Sequence, residues 1–244
     1  MVHNQPLLIF SSRKEVEVSI LLPSLRKCRA ISFVRNLELI EPELDYEVIV
    51  VSPFPIFSNK VVWVPEGKPM GNVVAGAVAC KYSKGAYMVC LSDDVLPTLG
   101  SITTLLNFIK QHSDPFAAGF SLKDLTGAAA TSKLYIYGHL YACFLGVSRR
   151  TIEAVGGFYL DIYKAHWADP DFCLRVYQAG GTIEVCEAAE LSVDPSFTDE
   201  FNAINSEKYF HHDLQTFLDR WHFLYGNGIP VKNIYNNWSL INHP

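Results

Sequence analysis

Two adjacent carboxylates, Asp93 and Asp94, stand one residue, Ser92, beyond the apolar run YMVCL and ahead of Pro97. At the mouth of a buried strand such a pair repels itself and loses hydration. A hard divalent cation with oxygen ligands, Mg2+ or Mn2+, relieves both costs. It would also clamp a diphosphate and neutralise the charge that grows on it during bond cleavage. The plainer alternative is a strand-end pair that forms a turn and caps the next helix.

A second acidic pair, Asp169 and Asp171, lies in HWADPDFCLR. Asp169 stands where a helix begins. It either caps backbone N–H groups there or serves as a general base toward a hydroxyl. Asp171 has Arg175 one turn later, which suits an i, i+4 ion pair. Lys68 and Asn72 flank Gly71 at another helix start, a place that attracts phosphate and equally an ordinary loop. His211 and His212 fall on different faces of a helix, so they read as surface or packing residues. Asp194, before Pro195, is uninformative alone.

The elements that must position these groups follow from periodicity. VSILLP (18–23), YEVIVVS (46–52), KVVWV (60–64) and YMVCL (87–91) are continuous apolar runs, as expected of strands covered on both faces. Helical spacing separates them over 28–40 and 72–82, and continues at 101–110 with Ser101 as the expected cap. Such an alternation implies an α/β fold with a mostly parallel central sheet flanked by helices. Ligands on such sheets bind beyond the carboxyl ends of the strands. That rim carries Pro23, Ser24, Ser52, Asp93 and Asp94. In the second half, FAAGF (116–120), YACFLGVS (141–148) and TIEVC (182–186) read as strands, and 149–155, 169–178 and 206–224 as helices. The expected layout is one domain over 1–200, divided near 110 into two halves, about 16–110 and 111–200. A C-terminal helix and aromatic tail over 201–244 follow, a candidate homodimer contact.

Composition narrows the function classes. A net charge of −5 disfavours nucleic acid as a partner. Six cysteines without a C-x-x-C pair fit reduced core residues rather than a disulfide framework. No apolar stretch is long enough to span a bilayer and no secretory leader is visible. The expectation is a cytoplasmic protein that would meet any lipid-linked acceptor at a membrane surface. G-x-x-x-x-G-K-[ST], G-x-G-x-x-G and G-x-S-x-G are all absent, which argues against an NTPase, a nicotinamide enzyme and an elbow-type hydrolase.

In order, VSILLPS, YEVIVVS, GNVVAGAVACKYSKGAYMVCLSDDVLP and GVSRRTIEAVGGFYLDIYKAHWADPDFCLR resemble the inverting family 2 glycosyltransferases with a GT-A fold, over roughly residues 16–200. The resemblance implies transfer of a sugar from a nucleotide-diphospho-sugar to a hydroxyl of a saccharide, lipid-linked or protein acceptor. Asp94, with Asp93, would hold Mn2+ or Mg2+ on the donor; Asp93 alternatively contacts the ribose. Asp169 matches the catalytic base, with Trp167 and Asp171 on the acceptor side. Pro23, Ser24, Ser52, Lys68 and Asn72 fall on the nucleotide-sugar side. Four positions depart from the pattern, one being Ser92, where the D-x-D region begins without a possible acidic ligand. Ser52-Pro53 replaces an Asp pair whose carboxylate usually reads the base. Ala168 replaces the Glu before the catalytic base, and Asp194 stands near the position of a metal-binding His, where its carboxylate would serve as an oxygen ligand to the metal instead. A sugar nucleotidyltransferase and a non-catalytic nucleotide-sugar-binding relative are the alternatives.

Overall fold

The computed structural model describes residues 15–129, 133–193, 200–226 and 234, with the side chains of 200–207 left aside. In chain order the elements are β1 (Val18–Pro23), α1 (Lys27–Ile40), β2 (Tyr46–Ser52), β3 (Val61–Pro65), α2 (Asn72–Tyr82), β4 (Tyr87–Cys90), β5 (Val95–Pro97), α3 (Ser101–Ile109), β6 (Phe116–Asp124), β7 (Leu134–Ile136), β8 (His139–Tyr141), β9 (Leu145–Ser148), α4 (Arg149–Ala154), α5 (Ala168–Gln178), β10 (Thr182–Val193) and α6 (Glu200–Tyr225).

Eight strands form one sheet in the order β3-β2-β1-β4-β9-β6-β10-β5, and β7 with β8 makes a separate hairpin. The β3-β2, β2-β1, β1-β4 and β6-β10 pairs are parallel; β9 is antiparallel to both neighbours and β5 to β10. The first half therefore has the expected crossover arrangement, and the sheet is mixed beyond β4.

Period-2 alternation sends side chains to two cores. Leu21, Ile49, Val51 and Met88 pack with α2, α5 and α6, whereas Ile20, Leu22, Val48, Val50 and Val89 pack with α1 and α3. Helices on both faces explain why these strands read as unbroken apolar runs. Two polar residues interrupt them. Ser19 donates to Glu47 at 2.7 Å, and both accept backbone N–H bonds from the Lys84–Gly85 turn. Gly85 is required there, since a Cβ would stand 2.4 Å from the Ser19 nitrogen.

Three expectations change. YACFLGVS is not one strand: it breaks between Tyr141 and Leu145, where Phe144 takes a positive φ of 54° and the chain passes from the hairpin to the main sheet. TIEVC continues past a bulge between Cys186 and Glu190, and pairs along the whole of β6. Ser101 does not cap α3. Gly100 is the cap residue, and the Glu41 carboxylate accepts from Ile102 N at 2.7 Å and from the Thr103 hydroxyl at 2.6 Å. A carboxylate at a helix N-terminus is favoured by the aligned peptide dipoles, whatever its distance in sequence.

Candidate active site

A cleft of about 290 Å3 opens at the carboxyl ends of β1 and β4. Pro23, Ser24, Asn72, Asp93, Asp94, Trp167 and Asp169 all line it. The two acidic stretches, 75 residues apart in sequence, thus share one cavity.

The register explains the near side. β1 and β4 are parallel neighbours, with Leu21 opposite Cys90, so the segments that follow them run out side by side. Ser24 donates a short hydrogen bond to Asp93, and Arg26 Nη1 lies 2.7 Å from Asp93 Oδ1. Burial pushes the Asp93 carboxyl above the usual range, with the Ser24 and Arg26 bonds pulling it back. Asp93 is thus a buried, hydrogen-bonded group that ties the two strand ends together. Asp94 is the more accessible neighbour and accepts a short hydrogen bond from Ser92.

The far side is built by α5 and the loop before it. Trp167, in the left-handed region with φ 66°, is the residue that turns the chain into α5. Among the described residues the non-glycine positive-φ positions are Tyr137, Phe144 and Trp167, and the last two both line the cleft. The Trp167 ring packs against Phe210 and Phe217 of α6, with centroids 6.1 and 5.1 Å away. Asp169 is partly accessible from the cleft and does not cap α5 through its side chain. It accepts hydrogen bonds from the Tyr159 hydroxyl and the Cys143 thiol. Burial raises its pKa, against the lowering effect of those two bonds.

The remaining expected residues lie elsewhere. Ser52 is fully buried, is absent from the cleft lining and donates to Phe54 O at 2.6 Å. Lys68 is exposed in the loop before α2 and does not line the cleft. Asp171 turns away from the cleft into the interior between α5 and α6. There it accepts from Arg175 Nε at 2.8 Å, Arg220 Nε at 2.9 Å, Trp221 Nε1 at 2.9 Å and the Tyr163 hydroxyl at 3.1 Å. The i, i+4 pair with Arg175 is the arrangement observed, enlarged by two further donors from α6. Asp194 lies outside the described residues.

Two contributors escaped the sequence reading. Glu66, after β3, is buried and lines the cleft. Its N–H donates to Ser52 O at 2.9 Å and its Oε1 accepts from Met70 N at 2.9 Å. A carboxylate thus stands at the end of β3, the strand beside β2. Burial raises the Glu66 pKa. Asp213 of α6, fully buried, accepts from the backbone N–H groups of Lys164, Ala165 and His166 at 2.8–3.1 Å. Lys164 O in turn accepts from Val73 N at the start of α2. Gly71 lets that approach happen, because a Cβ would sit 2.2 Å from Lys164 O. Asp213 falls on the buried stripe of α6 with Phe217 and Trp221, and an acidic residue on that stripe is the one signal the sequence carries for such a role.

A divalent cation fits this rim in one form. Asp94 offers one accessible carboxylate, Asp93 is engaged by Ser24 and Arg26, and among the described residues no three His, Cys, Asp or Glu side chains gather as a ligand set. Mg2+-type sites need only one or two protein carboxylates when substrate phosphates complete the shell.

No protein-family profile matches the sequence, and no curated protein matches it in sequence. Solved structures do share its fold. Residues 1–349 of S. aureus TarS align with a TM-score of 0.58 at 16% identity, over 87% of this chain and 73% of that one. The same fragment in complex with UDP-GlcNAc aligns at 0.57 and 14%, over 93% and 76%. GalNAc-T7 with UDP, GalNAc and Mn2+ aligns at 0.65 and 8%, over 93% of this chain and 53% of that one. The class this defines is the GT-A glycosyltransferase fold, a mixed α/β sheet flanked by helices. No helix among the described residues is long and apolar enough to cross a membrane.

Proposed function

We propose that the protein is an inverting glycosyltransferase that moves a sugar from a nucleoside-diphosphate donor to an acceptor hydroxyl. One observation carries the reading: Asp94 at the end of β4 and Asp169 at the start of α5 line a single cleft at the carboxyl edge of the sheet. Neighbours in fold that hold UDP or UDP-GlcNAc support a uridine diphosphate donor.

In this scheme the donor lies along Pro23, Ser24 and the start of α2, where Asn72 lines the cleft and the helix N-terminus favours phosphate. Glu66, at the same rim, accepts an N–H from the nucleobase. Asp94, together with the donor's phosphate oxygens, would hold Mn2+ or Mg2+; such a cation, when bound, neutralises charge on the departing diphosphate. Asp93 keeps the tips of β1 and β4 in register. Asp169 takes the proton of the acceptor hydroxyl as its oxygen attacks the anomeric carbon from the face opposite the diphosphate, so configuration inverts. Trp167 offers an apolar wall for a sugar ring.

The test is a panel of nucleoside-diphosphate sugars assayed for transfer with Mn2+ and with Mg2+, wild type against Asp169→Asn. The expected result is transfer by wild type with inverted configuration, and its loss in the variant with donor affinity kept. Product of retained configuration, or full turnover by Asp169→Asn, rules the scheme out.

A further inference from the structure

The geometry points to Tyr159 as a positioning residue for Asp169: its ring, seated in a notch that Gly76 leaves in α2, aims a hydroxyl hydrogen bond at the carboxylate and so fixes its orientation and protonation. This rests on the reading of Asp169 as the base. The hydroxyl lies 2.5 Å from Asp169 Oδ1. The hydroxyl has one proton to give, and it is directed at the carboxylate.

The notch is specific. Gly76 is buried in the middle of α2, where glycine is normally a liability. A Cβ there would meet Tyr159 Cδ2 at 2.9 Å and Cε2 at 3.3 Å. The ring also stacks on Phe158, with centroids 4.4 Å apart. Phe158 is itself pinned, as its carbonyl accepts from Arg175 Nη2 at 2.5 Å. The ring has little room to turn, so the hydroxyl direction is set by packing.

Among the described residues the titratable groups that face Asp169 are Tyr159, Cys143 between β8 and β9, Cys90 at the end of β4 and Cys173 in α5. Burial pushes the pKa of each upward, so all are neutral at physiological pH. No cation is among them. The charge on Asp169 is therefore held by hydrogen bonds, and the Tyr159 bond is the first of these.

Tyr159→Phe keeps the ring and deletes the donor. A 13C NMR titration of the Asp169 carboxyl, assigned by its loss in Asp169→Asn, is expected to shift to higher pH in Tyr159→Phe. The kcat is expected to fall at least tenfold at neutral pH with donor KM unchanged, and to recover partly as pH rises. A Gly76→Ala variant, which crowds the ring, is expected to move the titration the same way and supplies the answer if Tyr159→Phe does not fold. An Asp169 titration identical to wild type in the folded variants overturns the proposal. Because the titration is read on the resting protein, a clear shift in it alongside a wild type that transfers no sugar would support the Tyr159 contact and defeat the transferase reading alone.

Discussion

The carboxylate of Asp213 lies 2.9 Å from the backbone nitrogen of His166, and the same group also accepts from Lys164 and Ala165. One α6 side chain thereby fixes the loop that delivers Trp167 and Asp169 to the cleft. Through Lys164 O the same loop is bonded to the start of α2 on the donor side. The C-terminal helix therefore supports one wall of the site from behind, through the loop that lines it.

Asp213→Ala leaves three backbone donors with no carboxylate. The expected cost is about 2–3 kcal/mol in chemical denaturation, since buried donors lose their partner outright. Transfer should fall with it, while Asp213→Asn, which keeps one acceptor oxygen, should lose less of both. Wild-type stability in Asp213→Ala would show that the loop is held by other contacts.

Asp171→Ala separates a binding role from a structural one. The carboxylate is buried against Arg175, Arg220 and Trp221, so its removal strands charged donors and should cost about 3 kcal/mol or more. The measurement is a urea melt. Acceptor KM in the surviving folded fraction should stay near the wild-type value; a large rise in KM with normal stability would return Asp171 to the acceptor side.

Asp169 should give the activity an acid limb. Burial raises its pKa, and only the carboxylate form can accept a proton, so kcat/KM should climb with pH through a value above the ordinary carboxylate range. The linked stability runs the other way. A carboxyl whose folded pKa exceeds its unfolded one stabilises the fold at low pH, and that contribution is lost as pH rises through the folded value. Asp169→Asn removes the buried charge, so its Tm at neutral pH should exceed wild type by a few degrees, with the gap closing in acid. A Tm difference that is constant across pH would contradict this.

Asp94→Ala should abolish the Mn2+-dependent part of UDP binding in calorimetry. Asp93→Asn should chiefly lower stability, because it breaks the ion pair with Arg26 that joins the tips of β1 and β4. Equal metal dependence in wild type and Asp94→Ala would remove Asp94 from the donor site.

Glu66→Gln should narrow the affinity gap between uridine and adenosine diphosphates, as an amide no longer reads a base N–H the way a carboxylate does. Unchanged selectivity would place base recognition elsewhere.

Much of this architecture was legible in the chain. Strands buried on both faces must be apolar throughout, so β1, β2 and β4 stand out as continuous runs, and the helices between them show their own spacing. Strand ends in a parallel sheet share a rim, so Ser24, Asp93 and Asp94 could be expected together before any coordinates. The resemblance over HWADPDFCLR supplied Asp169 and Trp167.

What stayed hidden depends on contacts between distant segments. β5 and the β7-β8 hairpin are three residues per strand, too short for a period to register. The break at Phe144 arises where the chain changes sheets, and α3 is capped by Glu41 from 60 residues upstream. Glu66 and Tyr159 acquire their places at the cleft, and Asp213 its place behind it, through neighbours in space: a β3 edge beside Ser52, a glycine notch in α2, and three N–H groups of a loop some 50 residues earlier. Local patterns record how each segment buries itself, because burial is decided residue by residue along a period. Which buried oxygen meets which donor is decided by how the finished layers stack, and only the tertiary structure fixes that.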